Sequence, residues 1–215
     1  MSSFFRIKTF CSFTLLLGTV LTGCARLPET IKVLHDDDRV VTRLETDFDA
    51  PERTYSLKTD LSLEQLRTLL GGYSVRPRSR VPLQAFIDNT PSRKLFWESE
   101  LDALVPPLRE ALQQVGYRER VRFEVFSPGR NPRYWRDVTG GWIKVRDHFF
   151  HLAVDYFHVE QPVRKTDAYD PYYPSPWTPE RAYTVYFEPE RQYVTDPVLD
   201  EYAVDLDLFT ASTPP

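Results

Sequence analysis

Apolar residues between positions 61 and 72 recur at the spacing that places side chains on one face of a helix: Leu63, Leu66, Leu69 and Leu70. Ser62 and Gln65 stand at the spacing of a capping box, the motif that closes the first turn of a helix. Gly71-Gly72 follows the apolar stripe and is typical of a helix end. The pattern therefore predicts a helix that begins after Ser62 and packs through its leucines.

A second helical stripe extends from residue 94 to residue 115 and consists of Leu101, Leu104, Val105, Leu108, Leu112 and Val115. Gly116 suits the position that follows a helix. Pro106-Pro107 lies inside the stripe, and a proline in a helix interior costs about 3 kcal/mol. Because the stripe continues past the prolines, we predict either a kinked helix or two helices in close succession.

The remaining apolar segments have the alternating period of β-strands, in which every second side chain shares a face. Residues 142–145 and 149–159 are predicted to form a hairpin. The other predicted strands are 31–34, 40–45, 120–126, 182–187 and 202–209, with a turn at 36–38. The predicted fold class is α+β: two helical regions packed on a mostly antiparallel sheet of about five or more strands.

The composition is that of an ordinary globular protein, with 215 residues, 41% hydrophobic and 27% charged residues, and a net charge of −4. A nucleic-acid partner would need a basic face or stripe, which this charge balance does not indicate. Cys11 and Cys24 are the two cysteines of the chain. If the segment that contains Cys11 is removed on export, the mature protein holds one thiol and no internal disulfide.

The first residues have the layout of an export signal. Arg6 and Lys8 precede a mostly apolar run over residues 10–21, which is shorter than the about 20 residues of a transmembrane helix. We therefore interpret residues 1–23 as a signal peptide.

The tetrapeptide Leu21-Thr22-Gly23-Cys24 resembles the lipobox of bacterial lipoproteins. The resemblance implies that the signal peptidase recognises Leu21, Thr22 and Gly23, that cleavage follows Gly23, and that Cys24 carries a lipid and often an acyl chain such as palmitate. Two or more lipid chains give stable membrane anchoring. By the sorting rule of enteric bacteria, Ala25 after the cysteine favours the outer membrane, so the expected location is the cell envelope.

The mature chain is predicted to contain a tether, residues 24–50, with possible short strands, followed by a single α+β domain over residues 51–215. The order of features from Leu61-Ser62-Leu63-Glu64-Gln65-Leu66 to the hairpin that begins at Thr139 is similar to that of uncharacterised bacterial envelope lipoproteins. These motifs consist of packing residues, so the resemblance implies no activity.

The chain contains no recognisable catalytic motif, and we predict no enzyme activity, no cofactor and no metal site. On one strand His148 and His158 would stand roughly 33 Å apart, with His151 on the opposite face, so the three could not share an ion. His151 and Asp155 match the HxxxD of some acyltransferases only in part. Residues 36–38, three aspartates, lack the loop spacing of a calcium site.

One segment has the composition of a contact surface. Residues 169–179 combine four prolines with four aromatic residues, Tyr169, Tyr172, Tyr173 and Trp177. The alternative interpretation is a loop whose aromatic side chains fold back on the sheet. We expect a non-catalytic, lipid-anchored protein that presents a folded domain to another envelope component. The open alternatives are a module that binds a small apolar or lipid ligand between helices and sheet, and a hydrolase of envelope polymers.

Overall fold

The computed structural model describes residues 30–48, 60–78, 91–163 and 183–212. Within these ranges the chain forms ten strands and three helices. In chain order they are β1 (Thr30–Asp36), β2 (Val40–Thr46), α1 (Leu63–Gly71), β3 (Tyr73–Pro77), β4 (Arg93–Lys94), α2 (Glu98–Gln114), β5 (Glu119–Pro128), β6 (Trp135–Arg146), β7 (Phe149–Pro162), β8 (Tyr183–Phe187), β9 (Tyr193–Asp196), β10 (Glu201–Asp205) and α3 (Leu206–Ser212).

The strands form two sheets, and every pair of neighbouring strands in the described ranges is antiparallel. The larger sheet has seven strands in the order β1-β2-β5-β6-β7-β10-β9, and the smaller has three in the order β4-β3-β8. The chain is therefore mostly β, and the predicted α+β class is wrong. The strands β3, β4 and β9 have five, two and four residues, too few for alternation to be read from the sequence.

The first predicted helix is confirmed, together with its start. Gln65 N donates to Ser62 Oγ at 3.1 Å, and Ser62 N donates to Gln65 Oε1 at 3.0 Å, which completes the capping box. The helix ends at Gly71, and β3 begins two residues later. A Cβ at Gly72 would lie 2.5 Å from Cε2 of Phe187 in β8, so a glycine is needed where the chain turns into the small sheet.

The second helical region is one helix, α2, which contains Pro106 and Pro107 in its interior. The alternative of two helices in close succession is therefore wrong. Leu101, Leu104 and Leu108 on its inner face are almost completely buried. A fully buried leucine contributes roughly 1.5–3 kcal/mol, so this face offsets the cost of the prolines.

The last predicted strand, 202–209, is wrong over its second half. β10 ends at Asp205, and α3 begins at the next residue. Asp205 Oδ1 accepts hydrogen bonds from Asp207 N at 2.9 Å and Leu208 N at 3.1 Å, as an N-terminal helix cap does. Leu206 and Phe209 are buried and Leu208 is exposed, which is the spacing of one helix face, whereas Val204, Leu206 and Leu208 in the sequence alternate as in a strand.

The main core lies between one face of the seven-stranded sheet and the helices. Leu66 and Leu104 from the helices are fully buried there, as are Val121, Phe123 and Phe150 from the sheet. Residues 30–46, which the sequence assigns to a tether, form β1 and β2 of this same sheet. Five of the seven residues of β2 are buried, because β2 lies between β1 and β5 and is covered on both faces.

Candidate functional site

The face of the seven-stranded sheet that points away from the core carries a network of ion pairs, here called the charged face. Phe123 and Val125 point to the helices, so the alternating residues Arg122 and Glu124 point the other way. Five cations balance five carboxylates, and the members are Arg43, Arg120, Arg122, Lys144 and Arg146, with Glu45, Asp47, Glu124, Asp155 and Asp196.

The centre of the charged face is the pair Arg122 and Glu124. Glu124 is only 1% exposed. Tyr156 OH donates to Glu124 Oε1 at 2.7 Å, and Arg122 donates to Asp155 and, at 3.4 Å, to Tyr156 OH. Burial lowers the pKa of Arg122, but Tyr156, Asp155 and the other nearby acids more than compensate and raise it above its ordinary value. These partners replace the water that buried charges lose, so removal of one partner would leave an uncompensated buried charge.

His151 and Asp196 form a buried pair at the edge of this network. His151 Nε2 lies 2.9 Å from Asp196 Oδ2, which also accepts from Arg146 Nε at 2.7 Å. Burial, with the nearby Lys144, lowers the pKa of His151 to about 4. The imidazole is therefore neutral at pH 7, and Asp196 is held by Arg146 and by the backbone N–H of Val198 rather than presented to a ligand.

One opening among the described residues, here called the groove, lies at one end of the sheet. It has a volume of about 710 Å³. It lies between the β1–β2 turn, the end of β5 and the start of β6, and its lining consists of Asp36, Asp37, Asp38, Arg39, Phe126, Ser127, Pro128, Pro132, Trp135, Arg136 and Val163. The guanidinium of Arg136 stacks on the Phe126 ring at 3.8 Å, which holds that arginine against the wall.

The acidic wall of the groove is a turn, as the sequence predicts. Asp37 Oδ1 accepts from Arg39 N at 2.8 Å and from Val40 N at 2.7 Å. Although burial raises the pKa of the Asp37 carboxyl, these hydrogen bonds and His35 lower it by more. Arg39 Nη2 donates to Ser99 O at 2.7 Å and ties the turn to α2. Asp37 is thus occupied in shaping the wall.

A second opening, here called the side cavity, adjoins the same strand ends. It measures about 280 Å³ and is lined by Pro128, Gly129, Arg130, Asp137, His158 and Glu160. Pro128 lines both the groove and the side cavity. Arg130 Nη2 and Glu160 Oε2 form an ion pair at 2.6 Å across the mouth of the cavity.

His158 is fixed in the wall of the side cavity by contacts on several sides. Its Nδ1 lies 3.0 Å from Asp137 Oδ2, and its ring stacks on Trp97 at 4.1 Å with an interplanar angle of 20°. In this contact Nδ1 donates to the Asp137 carboxylate, which both the neutral and the protonated imidazole can do. Its φ of 48° is a left-handed conformation that few non-glycine residues adopt. Strain of this kind is concentrated at functional sites.

Two polar atoms in the wall of the side cavity, His158 Nε2 and Asp137 Oδ1, are buried and have no hydrogen-bond partner among the described residues. A buried polar atom without a partner costs roughly 1–3 kcal/mol, so this wall is locally unfavourable for the folded state. Ser127 and Glu100 pair with each other instead, since Ser127 Oγ donates to Glu100 Oε1 at 2.8 Å.

The structure separates the three histidines that cluster in the sequence. His148 lies 3.9 Å from Asp205, while His151 pairs with Asp196 and His158 with Asp137. Asp155 of the HxxxD-like pair binds Arg122 rather than His151. The predicted site residues Leu21, Thr22, Gly23, Cys24, Tyr169, Tyr172, Tyr173 and Trp177 lie outside the described residues.

One further cluster, which the sequence analysis does not identify, lies beside α3. His148, Asp205 and Asp207 place ligand atoms within 4.8 Å of one another. Asp205 already caps the first turn of α3 through its Oδ1. A helix cap and an adjacent histidine account for this grouping.

The Asp137–His158 pair was also missed at the sequence level, although one signal could have found it. The β6–β7 hairpin pairs Val138 with Val159, so residues 137 and 158 fall at neighbouring positions of adjacent strands. No family model, curated protein or solved structure matches this chain. Among the described residues, no helix is long and apolar enough to span a membrane.

Proposed function

We propose that this chain is a non-catalytic, lipid-anchored protein of the bacterial cell envelope that binds another envelope component through the groove. Its location in the outer membrane and its lipid on Cys24 rest on the resemblance of Leu21-Thr22-Gly23-Cys24 to a lipobox. Binding through the groove rests on geometry. The groove has about 710 Å³, within the range of roughly 300–1,000 Å³ that ligand sites usually have.

The position of the groove favours a contact role for this end of the molecule. Trp135, 38% exposed, stands in the groove, and its neighbour Tyr134 is 59% exposed. Aromatic residues of this kind contribute most at binding interfaces. Val163 lines the groove, and the aromatic segment that begins at Tyr169 follows it six residues later in the chain. The predicted additional contacts are therefore unchanged: Tyr169, Tyr172, Tyr173 and Trp177.

The alternative of a small apolar or lipid ligand between helices and sheet has less support. The interface between helices and sheet is filled. Leu66 and Leu104 of the helices and Phe123 of the sheet are fully buried there. The groove has charged walls instead, with aspartates on one side and Arg136 on the other. Apolar side chains of Phe126, Trp135 and Val163 stand beside these charges, so the lining suits a component that has both polar and apolar surface.

The alternative of a hydrolase has one supporting observation, the Asp137–His158 pair. A serine-type mechanism also needs a serine, cysteine or threonine within hydrogen-bond reach of the base, and a glycosidase needs two carboxylates that face the substrate. Asp137 and Glu160, which line the side cavity, are held by His158 and Arg130 respectively. Ser127, the serine beside this region, donates to Glu100. We therefore propose binding and not catalysis.

The proposal is tested by site-specific photo-crosslinking in living cells that produce the full chain. A photoreactive side chain at position 135 is expected to form a discrete adduct with an envelope component. The matched control is position 117, because Tyr117 is 50% exposed and precedes β5, whereas the groove lies at the other end of that strand. Equal adducts at both positions, or none at 135, would contradict binding through the groove.

A further inference from the structure

We infer that the component bound at the groove is a second copy of this chain, related to the first by a twofold axis through the groove. This inference rests on the proposed function and names the partner. It is carried by the opposite charges of the two walls. The acidic wall, residues 36–38, lies on one side of the groove, and an arginine-rich loop, residues 129–136, here called the basic loop, lies on the other.

The acidic wall presents carboxylates that the fold does not use. Asp36, Asp37 and Asp38 are all exposed. Asp37 accepts hydrogen bonds from the turn that it shapes, whereas the side chains of Asp36 and Asp38 have neither an ion pair nor a hydrogen bond within the described ranges. Arg39, the next residue, points to α2, where its Nη2 donates to Ser99 O at 2.7 Å. Two carboxylates therefore remain available to a partner.

The basic loop presents the opposite charge. It contains Arg130, Arg133 and Arg136 and no acidic residue, in a chain whose net charge is −4. Arg130 is paired with Glu160 at 2.6 Å. Arg133 is exposed and Arg136 lies on the Phe126 ring, and neither has a carboxylate partner in the part of the chain that the structure describes. Two guanidinium groups therefore remain available on this side.

Opposite charges on the two sides of the groove make this surface complementary to its own copy. In a twofold contact the same patch of both subunits meets after a half turn. If the axis passes through the groove, the half turn exchanges the walls, so the acidic wall of each copy faces the basic loop of the other. A uniformly acidic or uniformly basic partner would meet like charge at one wall, which costs affinity. The charge pattern therefore favours a second copy over such partners.

Exposed apolar side chains beside the groove supply contact surface between the charges. Tyr134 is 59%, Trp135 38% and Val163 45% exposed. Val163 N donates to Tyr134 O at 2.8 Å. The amides of Tyr134 and Trp135 donate to Asn131 O at 2.9 Å and 2.8 Å. The backbone that carries these side chains is thus held in place, so less entropy is lost when they contact a partner.

The proposed lipid anchor would favour the same contact. Two copies held in one membrane by a lipid on Cys24 diffuse in a plane, which raises their effective concentration relative to that of free chains. An interface that is weak in solution can therefore be occupied at the membrane.

The test is sedimentation velocity of the full chain, extracted from membranes in a density-matched detergent, over a range of protein concentrations. We expect a reversible equilibrium between monomer and dimer that shifts towards the monomer as salt is added, because ions screen exposed charge pairs. An association driven by apolar contact alone would not weaken with salt.

Charge reversal on one wall at a time is expected to prevent dimerisation. Asp36→Lys with Asp38→Lys, the acidic-wall variant, makes both walls basic. Arg133→Glu with Arg136→Glu, the basic-loop variant, makes both walls acidic. Each variant should weaken self-association at least about tenfold, equivalent to about 1.4 kcal/mol, because like charges then face each other twice in the dimer.

Two further variants control for effects on folding. Arg133→Glu alone changes an exposed residue, keeps the contact of Arg136 with Phe126, and should still weaken dimerisation. Glu110→Lys reverses a charge at an exposed position towards the C-terminal end of α2, whereas Ser99 at the other end of that helix contacts the turn of the groove. We expect Glu110→Lys to dimerise as wild type does.

A mixture of the acidic-wall and basic-loop variants gives the sharpest measurement. In a heterodimer the two reversed walls carry opposite charges and face each other, and so do the two unchanged walls. Both contacts are then attractive, so we expect the two variants to associate with each other at close to wild-type affinity, although neither associates with itself. A partner other than a second copy does not predict this rescue.

Three results would overturn the inference: a wild-type chain that stays monomeric at every concentration, reversed variants that still dimerise, or a mixture of them that does not associate. Photo-crosslinking at position 135 separates this failure from that of the proposed function. An adduct with the mass of two chains would support the second copy. An adduct with a different component would keep the groove as a binding site and remove only the second copy, and absence of any adduct together with a monomeric chain would remove both.

Discussion

Individual residues show how the chain manages charge inside a β-sheet. His151 is 2% exposed and sits between Asp196 and two cations, Lys144 and Arg146. The folded state holds it neutral, and the free energy of folding therefore depends on pH. The direction of that dependence follows from the pH range in which the unfolded chain binds a proton and the folded chain does not.

Acid is expected to destabilise the protein through His151. Its pKa is 6.5 when unfolded and about 4 when folded, so between these values the unfolded chain binds a proton that the folded chain excludes. The free energy of unfolding should fall by about 3 kcal/mol as the pH decreases from 6.5 to 4. Below pH 4 the His151 contribution is constant, and further loss comes from Asp196. Burial raises the pKa of Asp196, but hydrogen bonds from Arg146 and Val198 lower it by more, so it lies below its ordinary value.

Urea unfolding at pH 7, 5.5 and 4.5 measures this effect. His151→Gln keeps a donor for Asp196 but cannot titrate, so its stability should change much less over this range. His35→Gln, at a histidine whose side chain is 40% exposed, should keep the wild-type slope. A wild-type slope in His151→Gln would show that another group causes the acid sensitivity.

At the scale of elements, the β6–β7 hairpin organises the sheet and brings together the site. It spans residues 135–162 and contains two register shifts near Gly140 and Gly141. These bulges allow the Tyr156 ring to cover Gly140 and reach Glu124. The hairpin also brings Asp137 to His158.

Substitution of Gly141 is expected to disrupt this hairpin. A Cβ there would lie 1.9 Å from the carbonyl oxygen of Ala153, a backbone atom that cannot move without breaking the strand pairing. Gly141→Ala should cost about 3 kcal/mol or more, in the range of overpacked core sites. Thermal unfolding of the purified protein measures the loss.

Gly71→Ala provides the matched control for that prediction. Its Cβ would lie 3.9 Å from Leu101 Cδ1, an ordinary contact, and the residue is helical. We expect it to stabilise the protein by about 0.5–1 kcal/mol, since alanine favours the helix. Similar effects of the two substitutions would contradict the close packing at Gly141.

At the scale of the molecule, the groove, the side cavity and the proposed lipid anchor define a protein that would work at a surface. The groove contains the β1–β2 turn, and β1 begins at Thr30, six residues after Cys24. A lipid on Cys24 would therefore attach the membrane to the chain close to the first strand of the folded domain.

Removal of the lipid attachment site is expected to change the location of the protein. Cys24→Ser should leave the chain uncleaved, or release it from the membrane, because each buried methylene of a lipid contributes about 0.8 kcal/mol to anchoring. Fractionation, gel migration and mass spectrometry of the N-terminus measure this. A Cys24→Ser protein that fractionates and migrates as wild type would contradict the lipoprotein proposal.

Local patterns in the sequence were sufficient for elements whose hydrogen bonds are local. The capping box of α1, the stripe of α2 and the alternation of β5 each depend on neighbours in the chain, and all three are present. The short strands β3 and β9 had no such signal, because pairing with β4 and β8 defines β3 and pairing with β10 defines β9. For this reason the α+β class was wrong.

The sequence by itself determined the start of α1, the β6–β7 hairpin and the turn at Asp37, since each depends on residues a few positions apart. Only the tertiary structure decided which charges meet. His151 lies 45 residues from Asp196, and Ser127 lies 27 residues from Glu100. Such pairs depend on strand order and on bulges, which shift every later side chain between faces, and neither is encoded by a local period. The side cavity exists for the same reason.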